Sequence, residues 1–430
     1  MRSEHERGLT KSIDWKIIVP FLLLVFFGWL NIYATVHGAE PDSIFDPAFR
    51  SGKQLIWIFC SLGLGAMVIL LVSPKIWEVI ATPSYLLVLF LLFLVIFVGR
   101  DIKGSNSWFS LGPISFQPAE ISKITTALML ATLMSRQNFR IDRMRDLGIV
   151  GAVLLLPMLA ILCEHETGSM LVYVGYLFTL YREGLSGWWI FALGSAILLF
   201  ILVLTTPIYV PLALLFAGIL TCFLVARRNW ARSIRQKVAL RRGLLALAAI
   251  GTAYIFSVGF VFNNILQEHQ QKRIEVLLGL TEDPSGVGYN VNQSMIAIGS
   301  GGLLGKGYLG GTQTTYGFVP EQSTDFIFCT VGEEWGFLGC LAVIALYAFL
   351  IYRIVVDADD CREAFTRIYG YGVASCLFMH LFINVGMTVG LMPVIGIPLP
   401  LFSYGGSSLL TFTLMISIFL ALYRQEKKYF

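Results

Sequence analysis

An acid beside a proline, Asp283 in the stretch TEDPSGVGYNVNQS, is the first residue of this sequence whose setting suggests chemistry. A carboxylate on a preshaped loop can take a proton from a substrate hydroxyl, as a general base does. The same Asp-Pro-Ser-Gly run is typical of a plain turn, which local chemistry alone favours by about two to one. Lys272 and Arg273 lie just upstream, where such side chains either bind phosphate or, more commonly, anchor a loop at lipid head groups.

Two further groups of charged residues lie in or beside apolar runs, where ionisable side chains are costly and mark pathways, sites or paired contacts. Glu120 and Lys123 in QPAEISK are three residues apart, a spacing that allows an ion pair on one helix face. The pair is equally consistent with a structural contact and with a cation presented to an anionic head group. Glu164 and Glu166 lie at the end of another apolar run, where exposed acids are unremarkable.

Polar residues also interrupt two later runs. Glu333 and Glu334 in TVGEEWGFLG lie well inside an apolar segment, so each acid needs a partner there. His380 and Asn384 are one helical turn apart, and hydrogen bonds between helices are the more common role for such residues than catalysis.

A glycine-rich segment over about 265–324 surrounds Asp283 and is much longer than a typical connection. Ten glycines between Gly286 and Gly317 allow tight turns and a close approach of the backbone to a ligand. Nucleotide binding is excluded by the letters of GSGGLLGKG, because Ser300 and Gly307 break the phosphate-loop pattern and Leu304 breaks the dinucleotide fingerprint. A substrate acted on here must therefore carry its own leaving group.

The elements that hold these residues are membrane helices. Hydrophobic residues make up 56% of the chain, charged residues only 13%, and the mean hydropathy is +0.74, which excludes a soluble fold. We predict an all-α integral membrane protein, a polytopic helical bundle of about twelve transmembrane helices. The apolar runs lie roughly at 17–37, 55–73, 79–99, 117–135, 147–163, 168–181, 187–205, 208–226, 243–264, 325–352, 367–391 and 404–423.

Positive charge sets the predicted orientation, because Lys and Arg in short loops resist translocation. With both termini in the cytoplasm, most of the 31 Lys and Arg residues fall on the cytoplasmic side, and the large loop before the tenth helix faces outward. The basic run 227–242 is interpreted as a topology signal that touches anionic lipid rather than as a nucleic-acid site. No metal-ligand cluster is recognised, and the seven cysteines suggest no disulfide or zinc framework.

Prolines and glycines in GLMPVIGIPLPLFSYGGSSLL must break the helix between the last two spans. Irregular backbone near membrane depth is tolerated only against protein or a water-filled cavity. The segment is therefore either a groove wall or a tight interhelical connection.

Three long motifs stand out in the last third of the chain, GYNVNQSMIAIGSGGLLGKGYLGGTQ, FVPEQSTDFIFCTVGEEWGFLG and PVIGIPLPLFSYGGSS. They resemble the SEDS family (shape, elongation, division and sporulation) of peptidoglycan glycosyltransferases of bacterial inner membranes. The resemblance begins at Asp14-Trp15, continues through Lys53-Gln54 and Gln117-Pro118-Ala119-Glu120, and runs to the carboxyl end in family order. GKGYLGGTQ and the Gly-Ile-Pro-Leu-Pro run are similar to the elongation members rather than the division members.

The resemblance implies that Asp283, which matches the acid of the family's Asp-Pro-x-Gly-x-Gly-Tyr motif, is the catalytic residue. It also places Glu120 and Lys123 in the functional cavity. The set of substrate-binding residues expected on this basis is Glu120, Lys123, Glu166, Lys272, Arg273, Gln293, Ser294, Lys306 and Ser403.

Three departures from the family pattern stand out. Ser107 replaces the Arg that usually precedes the tryptophan after the third helix, here Trp108, so a phosphate-binding role for that Arg is in doubt. The family's Gln-Pro-Asp-Leu-Gly appears as Glu164-His165-Glu166-Thr167-Gly168, which keeps the acid as Glu166 with one more methylene. Twelve helices against the family's usual ten imply one SEDS-type transmembrane domain over 1–430 with a catalytic loop at 265–324 and an inserted hairpin and basic loop over 187–240.

The resemblance implies polymerisation of lipid II into glycan strands at the outer face of the inner membrane during elongation and shape maintenance. The implied partners are lipid II, undecaprenyl-diphosphate-linked glycan, a class B penicillin-binding protein and membrane lipids, with no nucleic acid. No cofactor is certain; Mg²⁺ or Mn²⁺ is one possible source of positive charge for the departing diphosphate, beside Lys123, Lys272 and Arg273. A lipid II flippase and a non-catalytic scaffold of the wall-synthesis complex are the rival functions.

Overall fold

The computed structural model describes residues 14–36, 43–102, 105–111, 114–229, 233–264, 266, 268–281, 286 and 288–427. Contacts divide the chain into two units, residues 1–185 with 290–430 and residues 186–289. The helices of the first unit are α1 (Trp15–Ala34), α2 (Arg50–Leu71), α3 (Lys75–Val98), α4 (Pro118–Met134), α5 (Met144–Cys163), α6 (Thr167–Val172), α7 (Tyr176–Arg182), α12 (Tyr289–Gly301), α13 (Ile327–Asp359), α14 (Ala364–Thr388) and α15 (Gly406–Lys427).

The second unit contains the four remaining helices, α8 (Trp188–Thr205), α9 (Tyr209–Asn229), α10 (Ile234–Asn264) and α11 (Glu268–Leu277). The helices α8, α9 and α10 pack on one another, and the Tyr254 hydroxyl donates to the Ala196 carbonyl at 2.9 Å. The predictions of a single transmembrane domain, a catalytic loop at 265–324 and an inserted hairpin at 187–240 stay predictions.

Ten helices in the described part of the chain are long and apolar enough to cross a membrane. Two further predicted spans are also helical. The helix α4 has 17 residues, and a 3₁₀ turn at Tyr173–Gly175 separates α6 from α7. The prediction of an all-α polytopic membrane protein is confirmed.

The helices α14 and α15 form the centre of the first unit. Most of their apolar windows are buried, whereas α2 and α3 expose most of theirs, as expected for helices that face lipid. Glycines let neighbours approach closely: a Cβ on Gly370 would lie 2.5 Å from the Phe419 ring, and one on Gly372 would lie 3.1 Å from Ala127 Cβ. In lipid no hydrophobic force drives helices together. Small residues at such contacts allow close van der Waals packing, which supplies the attraction instead.

A small antiparallel sheet follows α3 and was not predicted. Its strands are β1 (Arg100–Ile102), β2 (Ser105–Leu111) and β3 (Ile114–Phe116), in the order β1-β2-β3. Phe109 pairs with Phe116, and Ser107 is buried in β2. The sheet leads the chain directly into Gln117 and α4.

The glycine-rich segment packs into a break in α13. Gly336 has φ +66° and ψ −163°, so the regular hydrogen bonds of the helix are interrupted there. Four bonds from the segment replace them: the amides of Lys306 and Gly307 donate to the Glu333 and Glu334 carbonyls, and the Phe337 and Leu338 amides donate to the Gly302 and Leu303 carbonyls, at 2.9–3.2 Å. A Cβ on Gly305 would lie 2.1 Å from the Glu334 carbonyl oxygen, so this glycine permits the close approach.

Candidate active site

Lys123 lies at the centre of a buried polar cluster in the first unit. Pro118 begins α4, which puts Glu120 in its first turn and Lys123 one turn further on. The fully buried ammonium donates to Glu120 Oε1 at 2.7 Å and contacts His380 Nε2 at 3.0 Å. It also lies 5.3 Å from the centre of the Phe412 ring, so the positive charge meets a carboxylate, an imidazole and an aromatic ring.

The contacts of His380 fix its tautomer. An ammonium can only donate, so Nε2 accepts from Lys123. The proton therefore resides on Nδ1, which donates to the Pro398 carbonyl at 3.2 Å. A neutral imidazole thus connects the α4 cation to the irregular segment after α14. This agrees with the expectation that His380 bonds between elements of the fold.

Glu166 belongs to the same cluster. It lies in the turn between α5 and α6, and Gln117 donates to its Oε1. Burial and the Glu120 carboxylate raise the pKa of Glu166 to about 7, although Lys123 and Gln117 oppose the shift. Oε2 of Glu120 and Oε2 of Glu166 have no hydrogen-bond partner within the described residues. The predicted residues Glu120, Lys123 and Glu166 are therefore brought together, with unused acceptor capacity.

Glu164 is buried in the same turn rather than exposed, as the sequence had suggested. Burial and the neighbouring Glu166 raise its pKa to about 9. His165 between them has φ +62°, a left-handed conformation that His adopts more readily than most residues. The reversed backbone at His165 explains why both flanking acids turn away from open solvent.

The segment 389–405, between α14 and α15, is non-helical, as its prolines and glycines predicted. Asn384 Nδ2 donates to the carbonyls of Asp325 and Ile397 at 2.8 and 2.6 Å. Ser403 Oγ donates to the Thr324 carbonyl at 2.6 Å and accepts from the Leu399 amide at 2.8 Å. Ser403, predicted to bind substrate, therefore also fixes the backbone beside the cluster.

Glu333 is the anchor of the glycine-rich segment. Its carboxylate accepts from the amides of residues 312, 313 and 314 at 2.7–2.9 Å and from the hydroxyls of Thr312 and Thr314 at 3.1 and 2.8 Å. Lys306 Nζ donates to the same carboxylate at 2.6 Å. The partner that this membrane-depth acid requires is thus the glycine-rich segment itself, which no local sequence pattern revealed.

The other predicted residues lie on α11 and α12 or outside the described residues. Ser294 is buried on α12 and donates to the Thr388 carbonyl at 2.8 Å, and Gln293 beside it is half-buried. Lys272 is exposed on α11, whereas Arg273 is half-buried, and burial lowers its pKa. Asp283 lies outside the described residues.

The described residues do not supply a complete metal site. No group of three or more His, Cys, Asp or Glu side chains converges there in a way that could hold an ion. Glu120 and Glu166 each have one oxygen bound to a protein donor, which leaves two single oxygens. The expectation of Mg²⁺ or Mn²⁺ therefore stays a prediction, and no step below is derived through a metal.

Curated relatives match almost the whole chain. A peptidoglycan glycosyltransferase, MrdB of Escherichia coli strain K12, is 32% identical over 410 residues, which cover 95% of this chain and 94% of the relative. The peptidoglycan glycosyltransferase RodA of Treponema pallidum is 31% identical over 425 residues, covering 94% and 96%.

Solved structures also match almost the whole chain. A chain from a peptidoglycan synthase complex, studied for its coordination of polymerization and crosslinking, superposes with a TM-score of 0.66 at 26% identity, covering 96% of this chain and 98% of that one. The rod shape determining protein RodA of Thermus thermophilus gives 0.58 at 25% identity, covering 96% and 97%.

The family model FTSW_RODA_SPOVE, described as cell cycle protein, matches residues 14–218 and 214–428. These two stretches include all of the described helices. The predicted resemblance to the SEDS family, and to its elongation members, is confirmed. The chain belongs to the FtsW, RodA and SpoVE family of cell cycle proteins.

Proposed function

We propose that this chain is a peptidoglycan glycosyltransferase that polymerises lipid II into glycan strands during cell elongation and shape maintenance. The enzyme class and the elongation role agree with the names of two relatives. Each match covers more than nine-tenths of this chain and of the relative. That agreement is the observation that carries the assignment, and the residue roles below are our own proposal.

In this proposal Asp283 is the general base. Its carboxylate takes the proton of the acceptor sugar hydroxyl, and the oxygen then attacks the anomeric carbon of the growing chain. The bond from that carbon to the lipid diphosphate breaks, so the diphosphate leaves with the electron pair and the configuration inverts. No nucleotide is needed because the donor is already activated.

The leaving diphosphate needs positive charge. Lys123 is a poor candidate for direct contact, because its ammonium is fully buried and already bound to Glu120 and His380. Lys272 and Arg273 precede Asp283 by about ten residues in the sequence, and Lys272 is exposed. We therefore assign the diphosphate to Lys272 and Arg273, and to the buried cluster the role of holding α4 against α14.

The expected effect of Lys272→Gln or Arg273→Gln is a several-fold higher KM for lipid II with a smaller change in kcat. Lys237→Gln, which removes a positive charge from the same unit, is the control. A KM unchanged in both variants, or raised equally in the control, would remove the assignment.

The proposed site of action is the outer face of the bacterial inner membrane, with both termini in the cytoplasm. The partners proposed are lipid II, the lipid-linked glycan and a class B penicillin-binding protein that crosslinks the product. The crosslinking half of that scheme is supported by the structural neighbour, which belongs to a complex of polymerization and crosslinking.

The decisive experiment gives labelled lipid II to the purified chain together with its cognate penicillin-binding protein. Wild type is expected to make glycan chains, Asp283→Ala to lose at least a hundredfold in rate, and the neighbouring Glu282→Ala to stay near wild type. Equal polymerisation by Asp283→Ala would remove the base assignment. Transfer of lipid II across liposomes without any polymer would favour a flippase, and neither activity would favour a scaffold.

A further inference from the structure

An apolar slot lies between α1, α2 and α15, in the first unit and away from the Lys123 cluster. Its volume is about 300 Å³, and it is lined by α1 from Trp15 to Leu22, α2 from Leu62 to Leu70, and α15 from Thr413 to Leu420. From Trp15 to Leu22, α1 rises by about 10 Å, so the slot is long and runs beside the helix axes. All three helices are candidate membrane spans, so the medium beside the slot is lipid.

Small residues create the slot. A Cβ on Gly65 would lie 2.7 Å from Ser417 Oγ, so α2 and α15 are almost in contact at this level. The next residue, Ala66, is exposed and has too short a side chain to fill the space beside it. Leu22 and Leu70 form an exposed apolar rim. The slot is therefore closed on the protein side and accessible from the bilayer.

Basic side chains, and the Asp14 carboxylate that pairs with two of them, lie at the end of the slot where α1 begins. Lys16 is exposed there, next to the exposed Trp15, a residue type enriched at membrane interfaces. Lys427 at the end of α15 has its Nζ 3.8 Å from the Asp14 carboxylate, which already accepts from Arg353. Arg424 donates to the Ile69 carbonyl at 3.0 Å, at the end of α2. Cations from α1 and α15 thus lie where a lipid head group would be.

We propose that the slot binds one acyl chain of an anionic phospholipid, with the head group beside Lys16 and Lys427. An apolar slot of about 300 Å³, open to the bilayer and bounded by an indole and cations, matches the two halves of such a lipid. The bound lipid joins the first, second and last helices of the unit. None of the lining residues is among those assigned to polymerisation.

The test is native mass spectrometry of the purified full-length chain, delipidated and then given phosphatidylglycerol or phosphatidylethanolamine. Ala66→Leu fills the slot, whereas Gly63→Leu adds a larger side chain on the same helix at a position with nothing within 4 Å. Wild type and Gly63→Leu are expected to retain about one phosphatidylglycerol per chain more than Ala66→Leu. Equal retention by Ala66→Leu and wild type would overturn the proposal.

Two further measurements distinguish loss of this site from a general loss of lipid binding. Added phosphatidylglycerol is expected to raise the Tm of the delipidated wild type but not that of Ala66→Leu, because a ligand stabilises only the state that binds it. The double variant Lys16→Gln, Lys427→Gln is expected to lose the preference for phosphatidylglycerol over phosphatidylethanolamine. A Tm shift of equal size in Ala66→Leu, or an unchanged preference in the double variant, contradicts the assignment.

Discussion

Lys123 is a fully buried cation with two fixed partners, and this determines what its removal does. In Lys123→Met the Glu120 carboxylate loses its ion-pair partner, and leaving a buried charge unpaired typically costs about 3–5 kcal/mol. We expect a large drop in Tm, partly restored in the double variant with Glu120→Gln. Polymerisation of lipid II is expected to stay low in both variants. Full activity in the double variant would make the pair purely structural.

Glu164 makes the stability of the fold sensitive to pH. Its carboxyl has a pKa of about 9 in the folded protein against an ordinary value of 4.5, so the folded state holds a proton that the unfolded state releases. Stability must then fall as pH rises between those two values. We expect Glu164→Gln to raise the Tm at pH 8 and to flatten its decline, whereas Glu268→Gln, which changes an exposed acid, leaves the slope unchanged. A wild-type slope in Glu164→Gln would contradict this.

Residue spacing predicted part of the site. Glu120 and Lys123 form the ion pair that their spacing of three allows, and the turn residues of the segment 389–405 do interrupt the helix. The partners of Lys123 on other helices could not be predicted, since His380 lies more than 250 residues away in sequence and its contact depends on how α4 packs against α14. Likewise, nothing local showed that Glu333 would bind three consecutive amides.

At the scale of elements, the break in α13 and the glycine-rich segment depend on each other. Gly305 and Gly307 both have positive φ, +81° and +92°, but only a Cβ on Gly305 would meet the α13 backbone. Gly307→Ala is expected to cost about 1 kcal/mol, from backbone strain alone. Gly305→Ala adds the steric clash and is expected to cost about 2–4 kcal/mol in total, with loss of polymerisation. Thermal unfolding of both variants measures this, and equal losses would show that the insertion contributes little.

The apolar periodicity predicted the membrane helices well because each span is long enough to be recognised alone. The sheet at 100–116 was missed because strands of three to seven residues are stabilised by their partners rather than by their own pattern. The residues of GSGGLLGKG excluded a nucleotide site. They did not reveal that this stretch supplies the hydrogen bonds missing at the break in α13. Hydrogen bonds between distant segments are not encoded in local periodicity.

At the scale of the whole molecule, four ion pairs of the first unit lie at the helix ends near the two termini. Arg353 at the end of α13 binds Asp14 and Asp357, and Arg367 at the start of α14 binds Glu183. Arg182 at the end of α7 also pairs with Asp359. Arginine at these ends is what the positive-inside rule expects of a cytoplasmic face. The pairing supports the predicted orientation without depending on the loop that contains Asp283.

That orientation is testable with single cysteines in a variant whose seven native cysteines are replaced. Tyr316 is 75% exposed in the glycine-rich segment, and Asp142 is 64% exposed in the arginine-rich connection between α4 and α5. In right-side-out spheroplasts a membrane-impermeant maleimide is expected to label Tyr316→Cys at once and Asp142→Cys only after lysis. The reverse order would place the segment containing Asp283 in the cytoplasm. An enzyme that polymerises lipid II at the outer face could not then use that acid, so the reverse order would also remove the base assignment.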